Sequence, residues 1–133
     1  MKKNCKQHAQ ESKEQLKNNG LKITTARLGL LDILKHAKKP LSIKEITKQL
    51  GDAGVQVIGL DASAPTALHE MSVSGPTVLV IGSEHRGLGQ GIRSRCQSLA
   101  RLLSSGTLDS LNASVAAGIA LHTVLISRII TAR

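Results

Sequence analysis

One short stretch constrains the fold of this chain more than any other. It is the apolar, β-branched run Thr77–Ile81, which passes directly into the glycine-rich segment Gly82–Gly89. A strand without polar alternation is typical of a parallel sheet that is covered on both faces. Ligands of such sheets bind in the crevice beyond the carboxyl ends of the strands. We therefore predict an α/β fold with a binding site at the glycine-rich loop.

The segments around this run supply the rest of a small parallel sheet. The apolar runs Val55–Leu60 and Ser98–Leu103 each predict a strand. We expect a helix over Gln90–Gln97 and a long final helix that begins at Ser110 or Asn112. The glycine spacing of the loop matches neither a Rossmann fingerprint nor a P-loop, so the loop alone does not identify its ligand.

The first fifty residues predict three helices. Ser12–Asn19 is followed by a glycine, which is a common stop signal. A second helix begins at Thr24 or Thr25, and a third begins after Ser42, where Glu45 completes a capping box. The apolar stripes of the second and third helices are expected to face a core; they consist of Leu28, Leu30, Leu31, Ile33 and Leu34, and of Ile43, Ile46 and Leu50.

The choice of basic residue changes abruptly along the chain. Residues 1–50 hold eleven Lys and one Arg, whereas residues 51–133 hold six Arg and no Lys. The base composition of the coding sequence explains such a switch more simply than selection on the protein surface does, because Lys and Arg can replace each other at most solvent-exposed positions. We therefore predict two segments of different ancestry, 1–50 and 51–133.

The positive charge is concentrated in the first segment, which carries +8 of the net charge of +9. Such a cationic helical segment favours a polyanionic partner, although a merely solvated lysine surface is an equally open interpretation. The chain has no Phe, Tyr or Trp, so it lacks the aromatic stacking platforms that bind single-stranded RNA, and Arg planes would have to serve instead. The candidate nucleic-acid-binding residues are Lys22, Arg27, Lys38, Lys39, Lys44 and Arg86.

Several other classes of function find no support in the sequence. Cys5 and Cys96 lie far apart and the five His are scattered singly, so we predict neither a disulfide framework nor a metal site. No apolar signal core follows the N-terminus, which makes the cytoplasm the expected location. Residues 111–130 are long and apolar enough to span a bilayer, but we interpret them as a buried helix and expect no membrane partner.

Residues 14–50 resemble the N-terminal helices of the ferric-uptake-regulator family. The run Leu16–Arg27 is similar to that family's L-x-x-x-G-x-(K/R)-x-T-x-x-R opening, and Leu41–Leu50 is similar to its later (S/T)-x-x-(E/D)-I helix. The family continues with a recognition helix and a wing, whereas this chain continues with Gly51–Gly54 and a strand. The resemblance implies a truncated winged helix whose DNA binding is weak and non-specific at most.

Residues 55–126 resemble the C-terminal half of the SpoU family of RNA ribose 2′-O-methyltransferases. Val80–Leu88 is similar to that family's second motif, G-(S/N)-E-x-x-G-(L/I). Ser110–Ile119 is similar to its third motif, S-L-N-(V/A)-S-(V/A)-A, and Gly59–Asp61 fits the lead-in of members that act on ribosomal RNA. Two long motifs in order and at family spacing make a chance resemblance remote.

The resemblance implies a partial SPOUT-like sheet of about three parallel strands with a long C-terminal helix and a trefoil knot. It implies S-adenosylmethionine as the cofactor, RNA as the partner and a homodimer formed through the C-terminal helix. The cofactor-binding residues that it implies are Gly82, Ser83, Glu84, Gly87, Leu102, Ser110, Leu111 and Asn112.

The front of the methyltransferase pattern is missing. The family's first motif carries an Asn and an Arg, and nothing before Val55 matches it. The loop after the second motif also departs from the family, because Leu102-Leu103-Ser104 stands where I-P-(M/L) is usual. We assign no catalytic residue and expect impaired catalysis. Two alternatives stay open: an engineered or recombined chimera without evolved activity, and a non-specific nucleic-acid-binding module.

Overall fold

The protein is an α/β structure in which three helices precede a small sheet and one long helix follows it. The computed structural model describes residues 2–103 and 112–132. In chain order the elements are α1 (Lys2–Asn18), α2 (Thr25–His36), α3 (Ile43–Asp52), β1 (Gln56–Leu60), a 3₁₀ turn (Leu68–Glu70), β2 (Thr77–Ile81), α4 (Gln90–Arg93), β3 (Ser98–Ala100) and α5 (Ala113–Thr131).

The sheet has three parallel strands within the described residues, as the sequence predicts, and the structure shows that their order is β2-β1-β3. Gln56 of β1 lies opposite Thr77 of β2, and Ile58 lies opposite Ser98 of β3. Because β1 is the central strand, its residues are the most deeply buried in the sheet, and Val57 and Ile58 are both 0% exposed. The carboxyl ends of all three strands meet at one edge.

One face of the sheet packs against the N-terminal helices. Leu50 of α3, Val55 and Val57 form a buried cluster, which Val78 and Val80 of β2 extend across the sheet. The remaining contacts on this cluster come from Ala26, Leu30, Ile33, Ile46 and Cys96. The sequence leaves open how the sheet is covered, and the structure shows that α2 and α3 cover this face.

The opposite face packs against α5 and the segment between β1 and β2. Ile58, Leu68, Ala100, Ala120 and Val124 belong to this second buried cluster. Successive residues of a strand point to opposite faces, so Val57 and Ile58 belong to different clusters. The structure therefore has a helix–sheet–helix layering built about β1.

Local signals place the ends of the helices. Gly20 follows α1 with φ +66, a backbone conformation that favours glycine. The Thr24 side chain accepts a hydrogen bond from the Arg27 amide, and Ser42 and Glu45 form the predicted capping box. The Asn112 side chain accepts from the Ser114 amide, so Asn112 caps α5. Each cap agrees with the sequence analysis.

Some predicted bounds and faces are wrong. α4 ends at Arg93 instead of continuing to Gln97, and β3 ends at Ala100 instead of continuing to Leu103. α1 begins at Lys2, ten residues before the predicted Ser12. Leu34 and Ile43, both expected in a core, are 47% and 56% exposed, because the sheet covers only the faces of α2 and α3 that carry Leu30 and Leu50.

The terminal helix is less buried than the sequence predicts. Only Ala120 and Val124 of α5 are buried, whereas Leu121, Leu125 and Ile130 are 63%, 55% and 68% exposed. Ala113–Thr131 is long and apolar enough to cross a membrane by length and composition, a weak criterion that helices of soluble proteins also meet. The turn expected at Ser104 and the predicted threading of the knot involve residues 104–111, which lie outside the described residues.

We expect Leu50→Ala to lower the free energy of unfolding by about 2–5 kcal/mol, since it removes a fully buried side chain between α3 and the sheet. Ile43→Ala in the same helix is the matched control and should cost less than about 1 kcal/mol, because Ile43 is exposed. Urea denaturation followed by circular dichroism measures both. Equal losses in the two variants would contradict the packing described above.

Candidate functional site

The glycine-rich loop lies at the carboxyl edge of the sheet, between β2 and α4. Two hydrogen bonds close it into a tight turn: the Ser83 amide donates to the Gly87 carbonyl at 3.2 Å, and the Gly87 amide donates to the Ser83 carbonyl at 2.8 Å. The Arg86 amide also donates to Ser83 Oγ, at 3.2 Å. Residues 83–87 are therefore held in one shape by their own backbone.

Two glycines are required by this geometry. A Cβ on Gly82 would overlap the carbonyl group of Gly87 and the amide nitrogen of Leu88. Gly87 has φ +58, in the left-handed region that favours glycine. The backbone of residue 82 thus lies directly against the returning end of the loop.

Leu88 anchors the loop to the central strand. Its side chain is 7% exposed and lies over Gly59 of β1, where a Cβ would be 2.7 Å from Leu88 Cδ1. Leu99 of β3 and Cys96 approach the same glycine, at 2.9 Å from that Cβ position. Burial in this apolar surrounding raises the pKa of the Cys96 thiol, so Cys96 is a packing residue.

Glu84 connects the loop to the start of α5. Its Oε1 accepts a hydrogen bond from the Ala113 amide at 3.4 Å. The first amides of a helix lack partners within the helix and carry partial positive charge, which favours a carboxylate. Asn112 stands beside this contact and caps the helix with a 2.9 Å hydrogen bond from the Ser114 amide. The two segments that resemble the second and third family motifs are therefore adjacent.

The other predicted cofactor residues lie near this edge or outside the described chain. Leu102 follows β3 and is partly buried against the cluster that contains Ile58. The residue before it, Arg101, makes a parallel bridge with Ala67 and accepts a 2.9 Å hydrogen bond from the Leu68 amide at its carbonyl. Ser110 and Leu111 lie outside the described residues.

Asp61 is a residue of this edge that the sequence analysis did not assign to the site. It follows β1, its carboxylate accepts from Ser63 Oγ at 2.6 Å and the Ser63 amide at 2.8 Å, and it pairs with Arg93 of α4. The Ser63 hydroxyl, and then Arg93, lower the pKa of Asp61. The carboxylate stays ionised and ties α4 to the end of β1. The position of an acidic residue directly after an apolar strand was the sequence signal that could have identified Asp61.

The predicted nucleic-acid-binding residues do not form one surface. Lys22 and Arg27 line a cleft of about 700 Å³ at the amino end of β2, which is the edge opposite the glycine-rich loop. Lys38 follows α2, and the neighbouring Lys39 pairs with Glu45 at 3.7 Å. Lys44 of α3 lies against Gly91 of α4, where a Cβ would overlap its side chain, and Arg86 is an exposed residue of the loop itself.

Within residues 2–103 and 112–132, no three His, Cys, Asp or Glu side chains are grouped closely enough to hold a metal ion. The groups found at the carboxyl edge are instead the two carboxylates of Glu84 and Asp61, the amide side chain of Asn112 that caps α5, and the backbone of the glycine-rich loop. Such a set fits an organic ligand bound by hydrogen bonds.

The fold is that of an α/β protein in which a glycine-rich loop at the carboxyl edge of a parallel sheet lies beside the start of a terminal helix. The family model described as the SpoU rRNA Methylase family matches residues 6–122. The chain therefore belongs to the SpoU rRNA methylase family. The matched region includes the N-terminal helices as well as the sheet.

Individual relatives agree with this assignment. An uncharacterized tRNA/rRNA methyltransferase of Mycolicibacterium smegmatis is 42% identical over 83 residues, which make up 62% of this chain and 26% of that protein. The chain thus spans about a quarter of the length of such curated relatives.

Solved structures with bound AdoMet share the fold. The SpoU methyltransferase AviRb from Streptomyces viridochromogenes, in complex with the cofactor AdoMet, matches with a TM-score of 0.60 and 26% identity over 66% of this chain and 37% of that one. An AdoMet-bound rRNA methyltransferase from Sinorhizobium meliloti matches with a TM-score of 0.56 and 30% identity over 62% of this chain and 32% of that one. The cofactor predicted from the sequence is the one these two proteins contain.

We expect Gly82→Ala to lower the free energy of unfolding by at least about 2 kcal/mol, because its methyl group would overlap backbone atoms that cannot move without opening the loop. Gly89→Ala, in the same loop, should change it by less than about 0.5 kcal/mol, since nothing lies within 4 Å of a Cβ there. Chemical denaturation compares the two. A Gly82→Ala variant as stable as Gly89→Ala would show that the loop does not have this close approach.

Proposed function

We propose that residues 51–132 form the S-adenosylmethionine-binding part of an RNA ribose 2′-O-methyltransferase. The observation that carries this proposal is the contact between the glycine-rich loop and the start of α5, where Glu84 accepts from the Ala113 amide. This contact brings the two motif segments together at the carboxyl edge of the sheet, which is where ligands of open parallel sheets bind.

The residues present fit such a cofactor. Gly82 lets the two arms of the loop pack backbone against backbone, and nothing lies within 4 Å of a Cβ position at Gly87, where a ligand could approach the backbone closely. Leu102 follows β3 at the same edge and supplies an apolar side chain, and Asn112 at the start of α5 supplies a polar one. When bound, S-adenosylmethionine supplies an electrophilic methyl carbon. In this proposal Glu84 holds the loop against the start of α5.

We infer that this chain binds S-adenosylmethionine but that its catalysis of methyl transfer is impaired. A ribose 2′-hydroxyl is a poor nucleophile, so methyl transfer requires a base or a cation held in line with the methyl group. The sequence before Val55 holds no match to the Asn- and Arg-containing motif that the family uses. Arg86 is exposed and close to the site in sequence, but within residues 2–103 and 112–132 its side chain makes no hydrogen bond or ion pair that would fix it as a replacement.

For the N-terminal helices we propose an origin in a truncated winged helix of the ferric-uptake-regulator type, joined to the methyltransferase segment, although the match to the SpoU family model also extends over these helices. The change from Lys to Arg near residue 50 supports the junction. The chain passes from α3 into β1 with no recognition helix between them, which supports DNA binding through phosphates alone.

We also propose that the protein forms a homodimer through α5. Its exposed side chains include Ile119, Leu121, Leu125, Ile129 and Ile130, and together they make an apolar surface on one helix. Soluble proteins seldom leave such a surface uncovered, and a second copy supplies an identical apolar surface across a two-fold axis.

The proposed function is tested by calorimetric titration of the chain with S-adenosylmethionine. We expect saturable binding with a dissociation constant of about 10–1000 μM, the range typical of enzyme substrates. Glu84→Gln should weaken binding by about tenfold, because it replaces a charge-assisted hydrogen bond at the helix start with a neutral one.

Glu45→Gln is the matched control. It also alters a carboxylate that accepts a backbone amide at the start of a helix, but at α3, away from the glycine-rich loop. This variant should bind the cofactor like the parent chain. No heat at millimolar cofactor, or equal losses in both variants, would refute the proposed cofactor site.

A further inference from the structure

The edge of the sheet opposite the glycine-rich loop holds a cleft that the proposed cofactor site does not use. It has a volume of about 700 Å³ and lies between the start of α2 and the turn that precedes β2. Three of the residues that line it are cationic, namely Lys22, Arg27 and Arg128, and none of the lining residues is Asp or Glu. The cleft is therefore a concentration of positive charge.

Neutral acceptors hold the two arginines in place. Arg128 donates from Nε to the Val73 carbonyl at 2.9 Å, and from Nη2 to the Gly75 carbonyl at 2.6 Å and to Thr77 Oγ1 at 3.2 Å. Arg27 donates from Nη1 to the Lys22 carbonyl at 2.7 Å. Carbonyl and hydroxyl oxygens position a guanidinium without cancelling its charge.

The charge of these side chains is not cancelled by acids either. Among the ion pairs of the described side chains, none includes Lys22, Arg27 or Arg128. A guanidinium has five N–H donors, so each arginine keeps donors that its present contacts do not use. Both arginines are thus fixed in direction and still able to bind an anion.

The start of α2 adds further donors to the cleft. The Thr24 side chain accepts from the Arg27 amide at 3.2 Å, while the amides of Thr25 and Ala26 donate to no acceptor in the part of the chain that the structure describes. Both residues line the cleft. Free amides at the positive end of a twelve-residue helix favour phosphate oxygens in the same way as the arginines do.

We propose that this cleft is a phosphate-binding subsite for an RNA strand, a choice of polynucleotide that rests on the proposed function. Two guanidinium groups, a lysine and helix amides match the oxygens of a phosphodiester. None of the residues that line the cleft has an aromatic side chain on which a base would stack, so the subsite binds the backbone and does not read sequence.

The distance between the two edges of the sheet determines how many nucleotides separate a phosphate in the cleft from a ribose at the glycine-rich loop. β2 is five residues long, which separates the cleft from the glycine-rich loop by about 13 Å at 3.3 Å per residue. A stacked strand advances about 3.4 Å per nucleotide, so the cleft binds a phosphate about four nucleotides from a ribose placed at the loop.

Fluorescence anisotropy of a labelled twelve-nucleotide single-stranded RNA, measured across a salt series, tests the subsite. The double variant Lys22→Gln/Arg27→Gln should bind at least about tenfold more weakly than the parent. The slope of log affinity against log salt should become shallower by about 0.7 for each phosphate that the protein no longer neutralises. The matched control, Lys13→Gln/Lys35→Gln, removes the same charge from exposed positions of α1 and of the last turn of α2, outside the cleft, and should change affinity by less than about threefold.

Equal losses of affinity in the two double variants would overturn the proposal, because they would show attraction to overall charge alone. Absence of RNA binding by the parent chain would overturn it as well. The single variant Lys22→Gln repeats the test without disturbing the fold, because within the described residues the Lys22 side chain makes no hydrogen bond or ion pair. It should still bind RNA about threefold more weakly than the parent chain.

Titration of the same variants with S-adenosylmethionine separates this proposal from the proposed function. The cleft variants should bind the cofactor like the parent chain, because the cleft and the glycine-rich loop lie at opposite ends of β2. RNA binding that depends on Lys22 and Arg27 without any cofactor binding would support the subsite and refute the cofactor site.

Discussion

The structure depends on the burial of the central strand β1 on both faces. Val57 points toward α2 and α3 and Ile58 toward α5, and neither side chain is exposed. A strand of five residues cannot bury alternate side chains in two directions unless a layer of helices covers each face. The N-terminal helices are therefore part of what keeps the sheet folded, whatever their origin.

The geometry of the candidate site depends on residues in and directly after β1. Gly59 leaves room on β1 for Leu88, and this contact fixes the end of the glycine-rich loop at the carboxyl edge. Asp61, the residue after β1, holds α4 through Arg93, and Glu84 holds the start of α5. At the other edge Arg128 ties α5 to the turn before β2. Long-range hydrogen bonds thus hold both ends of the sheet to the surrounding helices.

Features that depend on a few neighbouring residues could be predicted from the sequence. The caps at Thr24, Ser42 and Asn112 are local hydrogen bonds, and the strand over Thr77–Ile81 is a local run of apolar residues. The exposure of Ile43 could not be predicted, because periodicity defines an apolar arc on a helix without showing which part of the arc a partner covers.

The candidate site was predictable only in part. The meeting of the glycine-rich loop with the terminal helix followed from a resemblance to a family, since no spacing rule places residue 84 beside residue 113. The Asp61–Arg93 pair and the cationic cleft join residues far apart in the chain, and only the fold brings them together.

If the N-terminal helices and the sheet share one core around β1, they must unfold as a unit. Native-state hydrogen exchange resolved by residue tests this most directly. We predict that the most protected amides of α2, α3 and β1 exchange with the same free energy of opening, equal to that of global unfolding. Exchange of α2 and α3 through a lower-energy opening, while β1 and β2 stay protected, would contradict a shared core.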